Sequence, residues 1–191
     1  MLSIFRPYKQ FSDEELMVKV HARNYSAFDE LFKRYVTILQ NFFYRRTGGD
    51  CELSSDLTQD IFMRLWSDLT FSPSTSFRSW IFAIAYNQLK HIYRSLSYQD
   101  GYVEHIQNTT QEEFEDDPAL QIDEEILSQA LQKELNQLSE KDQLLMDLRF
   151  ASNLSVSEIA SILDIPEGTV KSKLHTIIVK LRNKLQQYGN F

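Results

Sequence analysis

The sequence predicts an all-α protein: two small helical domains joined by an acidic linker, the C-terminal one containing a helix-turn-helix. Three observations carry that expectation. Apolar residues recur at i, i+3, i+4 and i+7 in nearly every hydrophobic segment, while sustained period-two alternation and fixed-period repeats are absent, so sheets and solenoids are not expected. Charge is unevenly spread: residues 1–94 carry 12 basic against 10 acidic side chains, 95–138 carry 1 against 11, and 139–191 carry 7 against 6. The net charge of -7 therefore resides in the middle, where Pro118 and the runs Glu112–Asp117 and Asp123–Glu125 mark a solvated tether. Finally, Leu154–Gln187 pairs two helical patterns across a tight turn. The expected domains are 1–96, a linker over 97–122, and 123–191.

In chain order, Ser12 with Glu15 forms a capping box for a short helix that ends near Ala22. Asn24–Ser26 breaks it. Phe28, Leu31, Phe32, Tyr35, Leu39, Phe42 and Phe43 give the next helix a heavy aromatic face, expected in the core, which ends before Gly48 and Gly49. Ser54 or Ser55 is expected to cap a third helix with a buried stripe of Leu57, Ile61, Phe62, Leu65 and Trp66. Asp56 and Asp60 then lie near its positive end, and Thr58, Gln59 and Arg64 are left for solvent or a partner. A polar loop, Thr70–Ser76, leads to a helix over about Phe77–Leu96. Its apolar face holds Phe77, Trp80, Ile81, Ile84, Ile92 and Leu96, with Leu89 or Gln88 depending on phase. Its other face sets Asn87, Lys90, His91 and Arg94 at i, i+3, i+4 and i+7 beside Tyr86 and Tyr93. Donors interleaved with aromatics suit unstacked bases, although Trp80 and the tyrosines taken alone read as core.

Beyond the linker, Glu124–Leu135 and a Ser139-capped helix bearing Leu144, Leu145, Leu148 and Phe150 support the helix-turn-helix, with Asn153 as a left-handed stop. Ser155 and Glu158 box the first helix of the motif, whose apolar face is Val156, Ile159, Ile162 and Leu163 and which stops near Asp164. Pro166 suits the first turn of the second, where Val170, Leu174, Ile177, Ile178, Leu181 and Leu185 recur. From Pro166 onward five basic residues oppose Glu167 alone. Thr169, Lys171, Ser172 and His175 point away from the apolar stripe, where donors early in a recognition helix reach base edges.

Composition excludes several classes. With 191 residues, 42% hydrophobic, real cores are available, and no stretch approaches the roughly 20 apolar residues that span a bilayer. Cys51 is the single cysteine, which fits a reducing compartment, and a cytoplasmic location is expected. No catalytic residues are assigned. The four histidines are scattered away from metal-ligand spacing, no Gly-rich phosphate loop or nucleophile elbow is present, and Asp56 with Asp60 is better explained by capping and dipole. Neither a metal nor a cofactor is expected.

Two segments together resemble the bacterial RNA polymerase sigma factors of the extracytoplasmic-function (ECF) group. Asp56–Trp66, DLTQDIFMRLW, followed by Ser76–Arg94, SFRSWIFAIAYNQLKHIYR, is similar to the family's second conserved region; Leu154–His175, LSVSEIASILDIPEGTVKSKLH, is similar to its fourth. The resemblance implies a protein that binds core polymerase, recognises the -10 and -35 promoter elements and promotes melting without nucleotide hydrolysis. Asp56, Leu57, Thr58, Gln59, Asp60, Phe62 and Trp66 would form the helix that docks on the β′ clamp helices, and the β flap would be a further partner. Phe71, Ser74, Phe77 and Asn87, with Lys90, His91 and Arg94, would meet the -10 element, the loop and Asn87 forming a pocket for a flipped base. Arg149, Thr169, Lys171, Ser172, Lys173, His175, Thr176 and Lys180 would meet the -35 element, with Lys171, Ser172, His175 and Thr176 at base-reading positions and Arg149, Lys173 and Lys180 at phosphates. An anti-sigma factor and a monomeric free state are further expectations. The chain departs from the family pattern at Asp164, where a glycine is usual, and at Thr176, where an arginine is common. The competing readings are a helix-turn-helix regulator with an N-terminal helical sensor domain, and a helical adaptor without a DNA role.

Overall fold

Ser12 starts the first helix by a reciprocal exchange: its hydroxyl accepts from Glu15 N–H at 3.2 Å while the Glu15 carboxylate accepts from Ser12 N–H at 2.8 Å. This helix, α1 (Asp13–His21), follows a single 3-10 turn at Tyr8–Gln10. The computed structural model describes residues 8–67, 71–72, 76–99 and 121–186 and divides the chain into two units, 1–109 and 110–191. Among the described residues every regular element is helical. The acidic runs Glu112–Asp117 and Pro118 lie outside the described residues.

In the first unit α2 (Tyr25–Arg46) begins where Asn24 Oδ1 accepts from Ala27 N–H at 3.0 Å. It ends at Gly48 and Gly49, whose φ of 67° and 86° glycine adopts without strain. Helix α3 (Cys51–Ser67) starts one turn earlier than the sequence suggests, because Asp50 Oδ1 takes the Leu53 N–H at 2.9 Å and does the capping expected of Ser54 or Ser55. Ser54 is instead buried inside the helix, and the acid in its first turn is Glu52, with Asp56 and Asp60 further along. Helix α4 (Phe77–Gln99) runs slightly past the expected Leu96.

Leu16, Met17, Leu31, Tyr35, Leu39, Phe42, Phe43, Ile61, Leu65, Phe77, Ile81 and Phe82 are all fully enclosed, and each contributes on the order of 1.5–3 kcal/mol by leaving water. The phase of α4 resolves in favour of Leu89 as the core residue, and Phe82, absent from the expected face, meets Phe42 edge-on at 5.5 Å. Two of the burial expectations are reversed. Phe32, expected in the core, is 39% exposed, and Thr58, expected at the surface, is buried with its hydroxyl donating to Ser54 O at 2.7 Å. A polar joint binds α1 to α2: Asp13 accepts from Arg34 Nη1 at 2.6 Å and from the Tyr35 hydroxyl. Burial, followed by the hydrogen bond to Asp13 and that carboxylate's charge, holds the Tyr35 phenol well above its ordinary pKa.

In the second unit, α5 (Gln121–Asn136) leads to α6 (Glu140–Met146), capped as expected by Ser139, whose hydroxyl accepts from Asp142 N–H at 3.2 Å. A π-helical turn at Asp147–Ala151 follows. Leu148 is enclosed there, and Phe150, expected on the apolar face, stands two positions on, nearly opposite it round the helix, and is 57% exposed. Asn153 takes the left-handed conformation expected of it, with φ 52°. Two further helices, α7 (Val156–Leu163) and α8 (Glu167–Leu185), complete the unit. Lys184 near the end of α8 is paired with the buried Glu134 of α5 and donates to Gln137 Oε1 at 2.7 Å.

Candidate functional site

The outer surface of the α2–α3 pair is unusually aromatic. Tyr25, 74% exposed, stacks on Trp66 with ring centroids 4.7 Å apart and planes 24° from parallel, and Arg23 lies over the same indole at 5.3 Å while donating to Trp66 O at 2.7 Å. Phe28 meets Trp66 edge-on at 5.4 Å, and Phe32 tilts against Phe62 at 4.7 Å. With Val36 and the exposed Met63 these rings line an open groove of about 1190 Å³, bordered by Gln59, Asp60 and Arg64. Apolar surface ringed by polar groups is the signature of a protein-docking face. Of the residues expected to meet polymerase, Asp56, Gln59 and Asp60 are exposed, Trp66 is half-buried, and Leu57, Thr58 and Phe62 are buried. Sequence periodicity missed Tyr25, Phe32 and Met63 here. A helical apolar stripe reads the same whether it faces a core or a partner; only the closeness of aromatic residues on two adjacent helices hinted at surplus apolar surface.

Between α3 and α4 is a second crevice of about 360 Å³, lined by Leu57, Asp60, Arg64, Asn87, Gln88, His91 and Ile92. Asn87 and His91 are exposed, one helical turn apart on one face. Lys90 diverges from them, with its ammonium 4.7 Å from the centre of the Tyr86 ring, and Arg94 is exposed further along. Phe71 and Phe77, by contrast, are enclosed: Phe71 packs edge-on against Phe77 at 5.8 Å and Trp80 at 5.4 Å. With Trp80 they form an aromatic cluster at the start of α4. Ser74 lies outside the described residues.

In the second unit the helix-turn-helix is built from short-range chemistry. Ser155 and Glu158 exchange the two bonds of a capping box at 3.2 and 2.8 Å, which supports an α7 of only eight residues. Asp164 ends it in the left-handed conformation, φ 54° and ψ 50°, a position that glycine fills without a Cβ penalty. Pro166 is the N-cap of α8, one position before its first turn. Val170, Leu174, Ile177 and Leu181 form the buried stripe of α8, while Ile178, expected beside them, is 37% exposed. Lys171, Ser172, Lys173, His175, Thr176 and Lys180 are exposed on the remaining faces, and Thr169 is half-buried. The Ser172 and Thr176 hydroxyls donate to Thr169 O and Ser172 O, at 3.1 and 2.9 Å, which leaves their oxygen lone pairs as acceptors. Arg149 is half-buried and braces the motif by donating from Nη1 to Leu154 O at 2.8 Å. Among the described residues no cluster of His, Cys, Asp and Glu suits a metal ion, and no helix is long and apolar enough to cross a membrane.

Comparison with known proteins matches these two regions to one family. Residues 31–98 match sigma-70 region 2 and residues 128–181 match sigma-70 region 4. Among curated proteins, the RNA polymerase sigma factor YlaC of Bacillus subtilis (strain 168) is 29% identical over 159 residues, covering 82% of this chain and 91% of YlaC. The ECF RNA polymerase sigma-E factor of Escherichia coli (strain K12) is 28% identical over 189 residues, covering 93% and 96%. Among solved structures, CnrH in complex with the cytosolic domain of CnrY aligns with a TM-score of 0.63 at 21% identity over 92% of this chain and 97% of that one. The sigma factor RpoE of Bartonella quintana, solved with the anti-sigma factor NepR, aligns at 0.59 and 23% identity over 84% and 95%. With both conserved sigma-70 regions present in order and matches that span most of YlaC and of the sigma-E factor, the chain belongs to the ECF group of RNA polymerase sigma factors.

Proposed function

We propose that the chain binds core RNA polymerase in the cytoplasm, directs it to promoters through their -10 and -35 elements, and promotes melting by trapping single-stranded DNA, with no catalytic site of its own. The observation that carries this reading is the division of labour between surfaces: an aromatic groove on α2 and α3, a second crevice between α3 and α4, and a basic recognition helix in a separate unit.

In this reading the β′ clamp helices dock on the outer face of α3, with Asp56, Gln59, Asp60, Met63 and Trp66 at the contact and Tyr25 and Phe32 extending it across α2. Buried Leu57, Thr58 and Phe62 act by holding that face in shape. Asn87, His91, Lys90 and Arg94 serve the non-template strand at the -10 element. A flipped base costs a few kcal/mol of stacking, which pocket contacts offset, so strand capture drives melting. The exposed side of α8, from Thr169 to Lys180, enters the major groove at the -35 element, and the second unit meets the β flap. Residues 1–96 and 123–191 form the two functional domains, and the acidic segment 97–122 joins them, its charge suiting channels that otherwise carry nucleic acid. An anti-sigma factor, as in the solved RpoE complex, is the expected regulator.

Reconstitution with core polymerase tests the proposal. Genomic fragments should yield promoter-specific transcripts only when the protein is present, and Asn87→Ala should weaken open-complex formation while leaving -35 duplex binding nearly unchanged. Binding to duplex DNA without promoter-specific initiation would favour the helix-turn-helix regulator instead.

A further inference from the structure

Helix α1 touches the first residue of α4, Phe77, and also Phe71, which lies between α3 and α4. Glu14 Oε1 accepts from the N–H of Phe77, the first residue of α4, at 2.9 Å across 63 positions of sequence. Seven residues later on α1, His21 sets its ring edge-on to Phe71 at 6.4 Å. Positions i, i+3 and i+7 share a helix face, and between the two lies Met17, fully buried, so one face of α1 carries all three.

The cap from Glu14 is more than local helix chemistry requires. Helix α4 already has a cap of its own, Ser76, whose hydroxyl accepts from Ser79 N–H at 3.3 Å. A carboxylate from a distant helix adds a charge-assisted bond to an otherwise unpaired N–H at the positive end of α4, and it ties the start of α4 to α1. Helix α1 is in turn held to α2 by Asp13, the residue next to Glu14, through Arg34 and Tyr35, and the Tyr35 ring meets Phe77 edge-on at 5.1 Å. Asn87 stands ten residues further along α4, about 15 Å down a rigid rod. Tilting that rod at its start moves Asn87 against α3 and changes the crevice.

We infer that Glu14 is a positioning residue for single-strand capture: its carboxylate fixes the start of α4, and hence the presentation of Asn87, while His21 on the same helix packs against Phe71. The inference rests on the reading of Asn87 as a -10 contact. It extends the -10 apparatus to a helix that contributes no DNA contact.

The test uses the full chain assembled with core polymerase, a single-stranded non-template oligonucleotide and a -35 duplex, both from a promoter that the wild-type holoenzyme transcribes. Glu14→Ala should weaken oligonucleotide binding about tenfold, the loss of one charge-assisted hydrogen bond, while core affinity and -35 duplex binding stay within about twofold. Glu14→Gln, which keeps an acceptor for the Phe77 N–H, should recover most of the loss. A Glu14→Gln no better than Glu14→Ala overturns the assignment, as does a parallel fall in core affinity, which would mean general loosening of the first unit. Wild-type oligonucleotide binding by Glu14→Ala, with Asn87→Ala impaired, overturns the inference and leaves the -10 reading standing. An unimpaired Asn87→Ala overturns both.

Discussion

Lys184→Met should destabilise the second unit by about 2 kcal/mol while leaving its DNA-facing surface intact. The pair that it breaks is asymmetric: the Glu134 side chain is 7% exposed, whereas that of Lys184 is 34% exposed. Removing one partner of a fully buried pair costs about 3–5 kcal/mol, because the remaining charge is left without compensation. Water reaching the Lys184 side lowers this toward about 2 kcal/mol, and methionine keeps most of the aliphatic stem, so little packing is lost. Replacing both members, Glu134→Leu with Lys184→Met, removes the unpaired carboxylate and should return stability to within about 1 kcal/mol of wild type. A chain of two units gives no single two-state transition, so the measurement is amide hydrogen exchange in α5 and α8 of the full-length protein, where 2 kcal/mol appears as roughly thirtyfold faster exchange. A single variant within about 0.5 kcal/mol of wild type, or a double variant as damaged as the single, would refute the reasoning.

Four further outcomes are expected. Met63→Glu, at an exposed position in the aromatic groove, should leave the fold unchanged and weaken core polymerase binding by at least about tenfold in a competition assay. Lys180→Ala should lower -35 duplex affinity uniformly across sequences and reduce the slope of log affinity against log salt by about 1. Gly168 is helical and a Cβ added there meets nothing within 4 Å, so Gly168→Ala should stabilise the second unit by about 0.5–1 kcal/mol; a simultaneous loss of -35 binding would place the DNA backbone against this residue. The raised pKa of Tyr35 means that the folded state favours the neutral phenol. Its contribution is complete below the unfolded value of about 10 and is lost as pH rises from there toward the folded value, so alkaline denaturation of the first unit should be shallower in Tyr35→Phe.

Local chemistry was the legible part of the fold. The boxes at Ser12 and Ser155, the cap at Ser139 and the left-handed Asn153 all depend on residues within three or four positions of one another, a range that sequence displays directly. Misreadings arose where a short-range signal had a competitor. Asp50 outranked Ser54 and Ser55 as the cap of α3, and with Ser54 already inside the helix the Thr58 hydroxyl found a backbone acceptor one turn back and became buried. Phe150, two positions from the enclosed Leu148, was grouped with a stripe that it opposes round the helix. At the candidate surfaces, the exposed basic side of α8 could be read from alternation with its apolar stripe. The division of aromatics between core and groove could not. Phe32 and Tyr35 are three positions apart on one helix, and whether either is exposed or buried depends on where α3 packs, which no window of sequence contains.

The two tryptophans fall at the two candidate surfaces of the first unit: Trp66 lies under Tyr25 in the aromatic groove, and Trp80 rests on Phe71 and Phe77 at the start of α4. The chain thus carries its own pair of optical probes. With Trp80→Phe, the change in Trp66 emission, after subtraction of the polymerase's own, reports engagement, since docking expels water from the indole. With Trp66→Phe, Trp80 reports rearrangement at the start of α4. Run in parallel against core polymerase and promoter DNA, the two single-tryptophan proteins give the order of engagement and strand capture in real time, with no label attached.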